Sequence, residues 1–224
     1  MAYRPHLIGL LLALIILVPA YFNGGKNNLM GPVSLALITL LILALNYDKQ
    51  PVPALSSTSL ILLAFLGWLI IDTAFFSRRL YASIVTALPI ITGALIFLSL
   101  QTVRLDKKVV KTFAYTLLGG TVTISLYGLY LYLAPGFSAL RLGSTFYQHN
   151  AFAGFLIPSL ILSLYFLLFE PRLKFSFGLG VLVLATALFL TFSRGGFIAT
   201  GAALIIFLLF LWRQTGPKIF TRNI

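Results

Sequence analysis

Apolar and polar positions follow one another along this chain in long blocks. Eight apolar runs, near residues 7–22, 29–45, 55–71, 81–100, 109–134, 151–169, 173–192 and 197–212, are separated by short segments that hold most of the charge. Each run is close to the ~20 residues that a helix needs to cross a ~30 Å hydrocarbon core. Stretches such as LIGLLLALIILVPA and GAALIIFLLFLW are apolar on every face, without the period-two alternation of transmembrane barrel strands. The pattern predicts an all-α fold, a polytopic transmembrane helical bundle of about eight spans. With no repeat of fixed period and no low-complexity segment, residues 1–224 read as a single transmembrane domain.

Composition agrees: 60% of the residues are hydrophobic and 9% charged, and the mean hydropathy is +1.04, which excludes an ordinary water-soluble domain. The amino-terminal segment has the charged start and apolar middle of a signal peptide, but no small-x-small cleavage site follows, so it is expected to remain as the first helix. Cysteine is absent, which removes disulfides, thiolate nucleophiles and cysteine metal sites.

The net charge of +12 changes the picture only through its distribution. The basic residues lie between spans and do not gather on one soluble face, so no nucleic-acid partner is expected. With the amino terminus in the cytoplasm and eight crossings, eleven of the sixteen Lys and Arg fall inside, while Lys26, Arg78, Arg79, Arg141 and Arg194 fall outside. That bias favours both termini cytoplasmic in a multi-pass protein of the inner or plasma membrane. The inner cations are what insertion requires, whereas the outer arginines ask for another explanation. His6 falls in the cytoplasmic tail.

Three outer constellations hold the candidate chemistry. The first, RLGSTFYQHNAFAGFL, joins the outer loop 135–150 to the sixth span; Asn150 is expected to cap that helix, so that free N–H groups point outward beside Arg141. The second, TFSRGGFIATGAAL, opens the eighth span: Ser193 can cap it, and Gly195 and Gly196 permit close approach of backbone or ligand next to Arg194. Two positive helix ends and two arginines then face one compartment, as an anion site requires. The third is Asp72 with Arg78 and Arg79, where Asp72 is expected to pair with one arginine and leave the other free. The plainer alternatives are a capped helix with a stray arginine, arginines snorkelling to lipid phosphates, and a local surface ion pair.

A pyrophosphate suits such a site. The guanidinium fork donates two parallel hydrogen bonds, keeps its charge, and can stabilise a departing pyrophosphate without a metal. The outer face has one carboxylate and no metal-ligand cluster, so no metal and no cofactor are expected. His149 is a weak candidate for a catalytic proton acceptor, with capping or packing as its alternative role.

The segment from Arg141 through Gly143, Ser144, Thr145 and Phe146 to Asn150, followed two spans later by Thr191, Ser193, Arg194, Gly195 and Gly196, resembles the O-antigen ligase and O-antigen polymerase superfamily. The polar turn at Asp72 looks like the corresponding part of that family. Members often carry proline just before the asparagine, where this chain has His149. The resemblance implies a metal-independent glycosyltransferase of lipopolysaccharide or cell-surface polysaccharide biosynthesis. Such a protein takes a glycan from an undecaprenyl-pyrophosphate carrier on the periplasmic or exterior face and joins it to a lipid or glycan acceptor, in contact with membrane lipids.

By the same resemblance Arg141, Arg194, Ser193, Gly195, Gly196 and Asn150 would hold the pyrophosphate, with Asp72, Arg78 and Arg79 as accessories. The family is usually longer, with a large outer loop beyond the region matched. The chain therefore looks truncated, and a second polypeptide is a possible source of the missing carboxyl-terminal half. Two alternatives remain: a transporter of a small anion or of the lipid-linked glycan, and a non-catalytic truncated subunit. Transport would call for polar groups within the spans, of which Thr121, Thr123 and Ser125 are examples.

Overall fold

The computed structural model describes residues 4–22, 24, 30–46, 56–101, 106–134 and 141–215. All regular structure among them is helical. The eight helices are α1 (Arg4–Tyr21), α2 (Met30–Asn46), α3 (Ser57–Ile71), α4 (Leu80–Gln101), α5 (Lys107–Leu133), α6 (His149–Phe169), α7 (Lys174–Leu190) and α8 (Arg194–Thr215). Each coincides with one of the apolar runs. Residues 135–140 of the expected outer loop lie outside the described residues, as do the charged residues Lys26, Asp48, Lys49, Arg104, Lys218 and Arg222.

Five helical stretches among the described residues are long and apolar enough to cross a membrane: Ser57–Phe76, Lys107–Leu133, His149–Phe169, Pro171–Leu190 and Arg194–Arg213. This is the mark of a membrane protein. The helices α1, α2 and α4 are apolar as well.

The chain forms two compact units, residues 1–116 and 117–224, with the division inside α5. In the first, Ile8, Leu11, Leu12 and Ile15 of α1 pack with Ile38, Leu41 and Leu45 of α2 and with Val109. Gly9 lets α5 approach α1: a Cβ there would stand 2.6 Å from the Val109 carbonyl oxygen. His6, expected in a tail, is part of α1, and its Nδ1 is 2.8 Å from Thr112 Oγ1. In α3, Ser56 caps the helix by accepting from the Ser59 N–H at 3.2 Å. The Ser59 hydroxyl donates to the Gln101 side chain of α4.

The helix of α3 continues through a π-helical turn, Asp72–Phe76, before the turn that leads to α4. There the Arg79 N–H donates to Ser77 Oγ at 3.2 Å.

In the second unit, α6 packs against α7 and α8. Buried hydroxyls join the helices where lipid would leave them without partners. Thr121 Oγ1 of α5 is 2.9 Å from Ser159 Oγ of α6, and Ser163 Oγ of α6 donates to the Phe177 carbonyl of α7 at 3.0 Å. Gly180 of α7 makes room for that second bond, since a Cβ there would lie 3.0 Å from Ser163 Oγ. Phe166 and Phe177 stack alongside, with ring centroids 5.1 Å apart.

Candidate functional site

The site is built from two loops at one end of the second unit. The turn between α7 and α8 spans Thr191 to Ser193. Thr191 is fully buried; its hydroxyl donates to the Leu188 carbonyl at 2.6 Å and accepts from the Ser193 N–H at 3.2 Å. Ser193 then caps α8, its Oγ accepting from the Gly196 N–H at 3.0 Å. Arg194 is therefore the first residue of α8. The next residues divide the work of the glycine pair: a Cβ on Gly196 would stand 2.7 Å from Ala153 Cβ of α6, while a Cβ on Gly195 would meet nothing within 4 Å. Gly196 allows the N-terminal ends of α6 and α8 to touch, and Gly195 remains open.

The loop from Arg141 to Gln148 is held at three points. The Leu142 N–H donates to the Leu190 carbonyl at the end of α7, at 2.9 Å, and the Leu142 side chain is buried. The Ser144 hydroxyl donates to the Ile124 carbonyl of α5 at 2.6 Å. Gly128 of α5 admits this contact, because a Cβ on it would lie 2.6 Å from Ser144 Cβ. Phe146 sets its ring against Phe152 and Phe155 of α6, with centroids 5.5 and 5.1 Å away. The loop thus ties Arg141 to the same end of the unit as the α7–α8 turn.

Between these loops lies a cavity of about 320 Å³ lined by Arg141, His149, Asn150, Phe192, Arg194 and Gly195. Arg141 comes from the loop, His149 and Asn150 from the first turn of α6, and Arg194 and Gly195 from the first turn of α8. Neither α6 nor α8 has an acid in that turn. The unpaired N–H groups and positive dipole ends of two helices therefore add to two guanidinium charges. Arg141 Nη1 donates to His149 Nε2 at 3.0 Å. Among the described residues the Arg194 guanidinium has no hydrogen-bond or ion-pair partner. The arrangement can bind an anion bearing several oxygens.

Several sequence expectations change in detail. Asn150 is not the helix cap: α6 starts at His149, Gln148 is the N-cap in an extended conformation, and no side chain caps it. With Phe146 packed on Phe152 and Phe155, the cap falls on Gln148, two residues earlier than expected, which leaves Asn150 inside the first turn and on the cavity. Ser193 and Gly196 are buried and do not line the cavity; they position α8 behind it. Since a guanidinium only donates, the Arg141 contact occupies the Nε2 lone pair that a catalytic base would use.

The third constellation belongs to the first unit. Asp72 lies in the π-helical turn and Arg78 and Arg79 in the turn before α4, all three exposed. Among the described residues no ion pair joins Asp72 to either arginine. The backbone N–H of Arg79 donates to Ser77 Oγ. An apolar cavity of about 250 Å³ between the ends of α3 and α4 runs past this turn, lined by residues that include Thr73, Ala74 and Leu80.

Two features of the site had no sequence signal. Ser144 and Phe192 adopt positive φ, 52° and 48°, and they are the two non-glycine residues among those described that do so. Neither residue type announces a left-handed conformation, which costs an L-residue roughly 1–2 kcal/mol. Both stand in the two loops that frame the cavity. Gly128 was likewise legible only as a small residue in a span. Comparison of the chain with models of known protein families, with curated proteins and with solved structures finds no match.

Proposed function

We propose that this chain is a multi-pass protein of the inner or plasma membrane, with both termini cytoplasmic, whose arginine cavity faces the periplasm or cell exterior. There it binds the pyrophosphate of an undecaprenyl-pyrophosphate-linked glycan. The reaction is that of an O-antigen ligase or polymerase: an acceptor hydroxyl on a lipid or glycan attacks the anomeric carbon, the bond to the pyrophosphate breaks, and the lipid pyrophosphate leaves while the hydroxyl proton passes to it or to water.

The observation that carries this proposal is the meeting of Arg141, Arg194 and the first turns of α6 and α8 on one cavity. As the glycosyl bond breaks, charge grows on the leaving pyrophosphate, and groups already aimed at it stabilise the transition state more than the ground state. The resemblance of the two cavity-forming segments to the ligase superfamily, and the excess of Lys and Arg on the side assigned to the cytoplasm, support the same choice. The hydroxyls that a transport path would need are already committed: Thr121 and Ser125 are buried and bonded to backbone carbonyls of their own helix, and Thr123 bonds the Gly119 carbonyl at 2.8 Å.

The test is binding of inorganic pyrophosphate to the full chain in detergent. Arg141→Ala and Arg194→Ala are each expected to weaken it about tenfold or more, the size of a lost charge-assisted hydrogen bond. Undiminished binding in both variants refutes the site. In cells, glycan attachment falls in parallel.

A further inference from the structure

Resting on the anion site proposed above, we infer that His149 couples anion binding there to uptake of a proton. Its Nε2 faces Arg141 Nη1 at 3.0 Å. A guanidinium has five donors and no acceptor, so this contact requires an unprotonated Nε2 and a neutral ring carrying its hydrogen on Nδ1. The imidazole then acts as a positioning residue: it takes one Arg141 N–H and holds the head group at the rim. Protonation removes the acceptor. The ring becomes a third cation, beside Arg141 and Arg194, and Arg141 is released to turn its donors elsewhere.

Charge on the surrounding segments decides which state an anion favours. Arg141 faces His149 from the loop and Arg194 from α8, and the turn before α8 contributes Phe192 to the cavity. The loop adds Tyr147, and the last turns of α5, beneath Ser144, carry Tyr127, Tyr130 and Tyr132. No Asp or Glu occurs on any of these segments; Glu170, the acid of α6, ends the helix at its far end. With a dianion in the cavity, a proton on His149 adds an attraction and an N–H donor to those of Arg141 and Arg194. An anion and a proton therefore bind with positive coupling, and by reciprocity each raises the affinity of the other.

Sulfate is the probe, because it stays a dianion across the range where an imidazole titrates and pyrophosphate does not keep a fixed charge there. Calorimetry on the full chain in detergent is expected to show sulfate binding tightening about tenfold as the pH is lowered. Buffers of different protonation heat should report net proton uptake on sulfate binding. His149→Gln keeps an acceptor for Arg141 but cannot titrate, and is expected to flatten the profile and abolish the uptake. His149→Asn serves as a second non-titrating variant should the first unfold, and the proton count on the unmodified chain needs no variant.

A flat profile in the unmodified chain, with binding still lost in Arg141→Ala and Arg194→Ala, overturns the coupling and leaves the anion site standing. A full slope retained in His149→Gln also overturns it. Binding that neither arginine variant weakens overturns the anion site and the coupling together.

Discussion

Gly195 and Gly196 are adjacent, identical and separated in role by their surroundings. Gly196→Ala would place a Cβ 2.7 Å from Ala153 Cβ, and neither helix backbone can yield without moving the other. It is expected to cost about 1–3 kcal/mol, seen as a fall in the midpoint of thermal unfolding in detergent. Gly195→Ala meets open space and should leave that midpoint unchanged or raise it, since alanine favours helix by about 1 kcal/mol over glycine. Ser193→Ala removes the cap of α8, with an expected loss of about 1 kcal/mol. An equal response to both glycine substitutions would show that the two helix ends are not in contact.

At the level of elements, what organises the site is the way a loop is fastened to three helices. Leu142, Ser144 and Phe146 reach α7, α5 and α6 in turn, through a backbone bond, a hydroxyl bond and a ring contact. Phe146→Ala removes the only one of the three that is made by a large apolar side chain, with aromatic pairing worth about 0.5–1.5 kcal/mol beyond the buried area. It touches no ligand in the proposed site, yet it is expected to weaken inorganic pyrophosphate binding by loosening the segment that carries Arg141 and His149. Unaltered affinity, measured beside Arg141→Ala, would mean the loop is held adequately without it. The pairing of Thr121 with Ser159 belongs to the same scale. A double-mutant cycle with Thr121→Val and Ser159→Ala should give a coupling of about 0.6 kcal/mol, typical of interhelical hydrogen bonds in membranes.

For the molecule as a whole, the outer surface of the helices is apolar: Trp68, Phe75, Ile198, Ile206 and Trp212 are all exposed. Bare contact of such side chains with water is unfavourable, so the chain is expected to stay with membranes through alkaline carbonate washing and to need detergent for release. The absence of cysteine makes its topology easy to read. Tyr147 and Phe192, from the two loops of the cavity, are exposed at one end of the second unit, and Phe175, at the start of α7, is exposed at the other. Single cysteines at Tyr147 and Phe192 should react with a membrane-impermeant thiol reagent from the same side, and one at Phe175 from the opposite side. Labelling of Tyr147→Cys and Phe192→Cys from different sides would remove the shared cavity.

The number and approximate limits of the helices were legible in the sequence, because in lipid an apolar run has to satisfy its own backbone and a helix does so locally. The same local chemistry made Ser193 readable as a cap and brought Arg141, His149, Asn150, Arg194 and Gly195 under suspicion, since arginine and histidine beside helix ends are unusual in so apolar a chain. Tertiary structure alone decided which of these residues share a cavity. The bond from Leu142 to Leu190 and the contact of Gly196 with Ala153 join segments about fifty residues apart, and no spacing along the chain encodes them. It also decided that Asn150 lies within a helix turn, that Asp72 leaves both nearby arginines unpaired among the described residues, and that His149 accepts from Arg141. Each of those outcomes depends on where a side chain ends after packing, which is set by distances in space between residues that the sequence lists far apart.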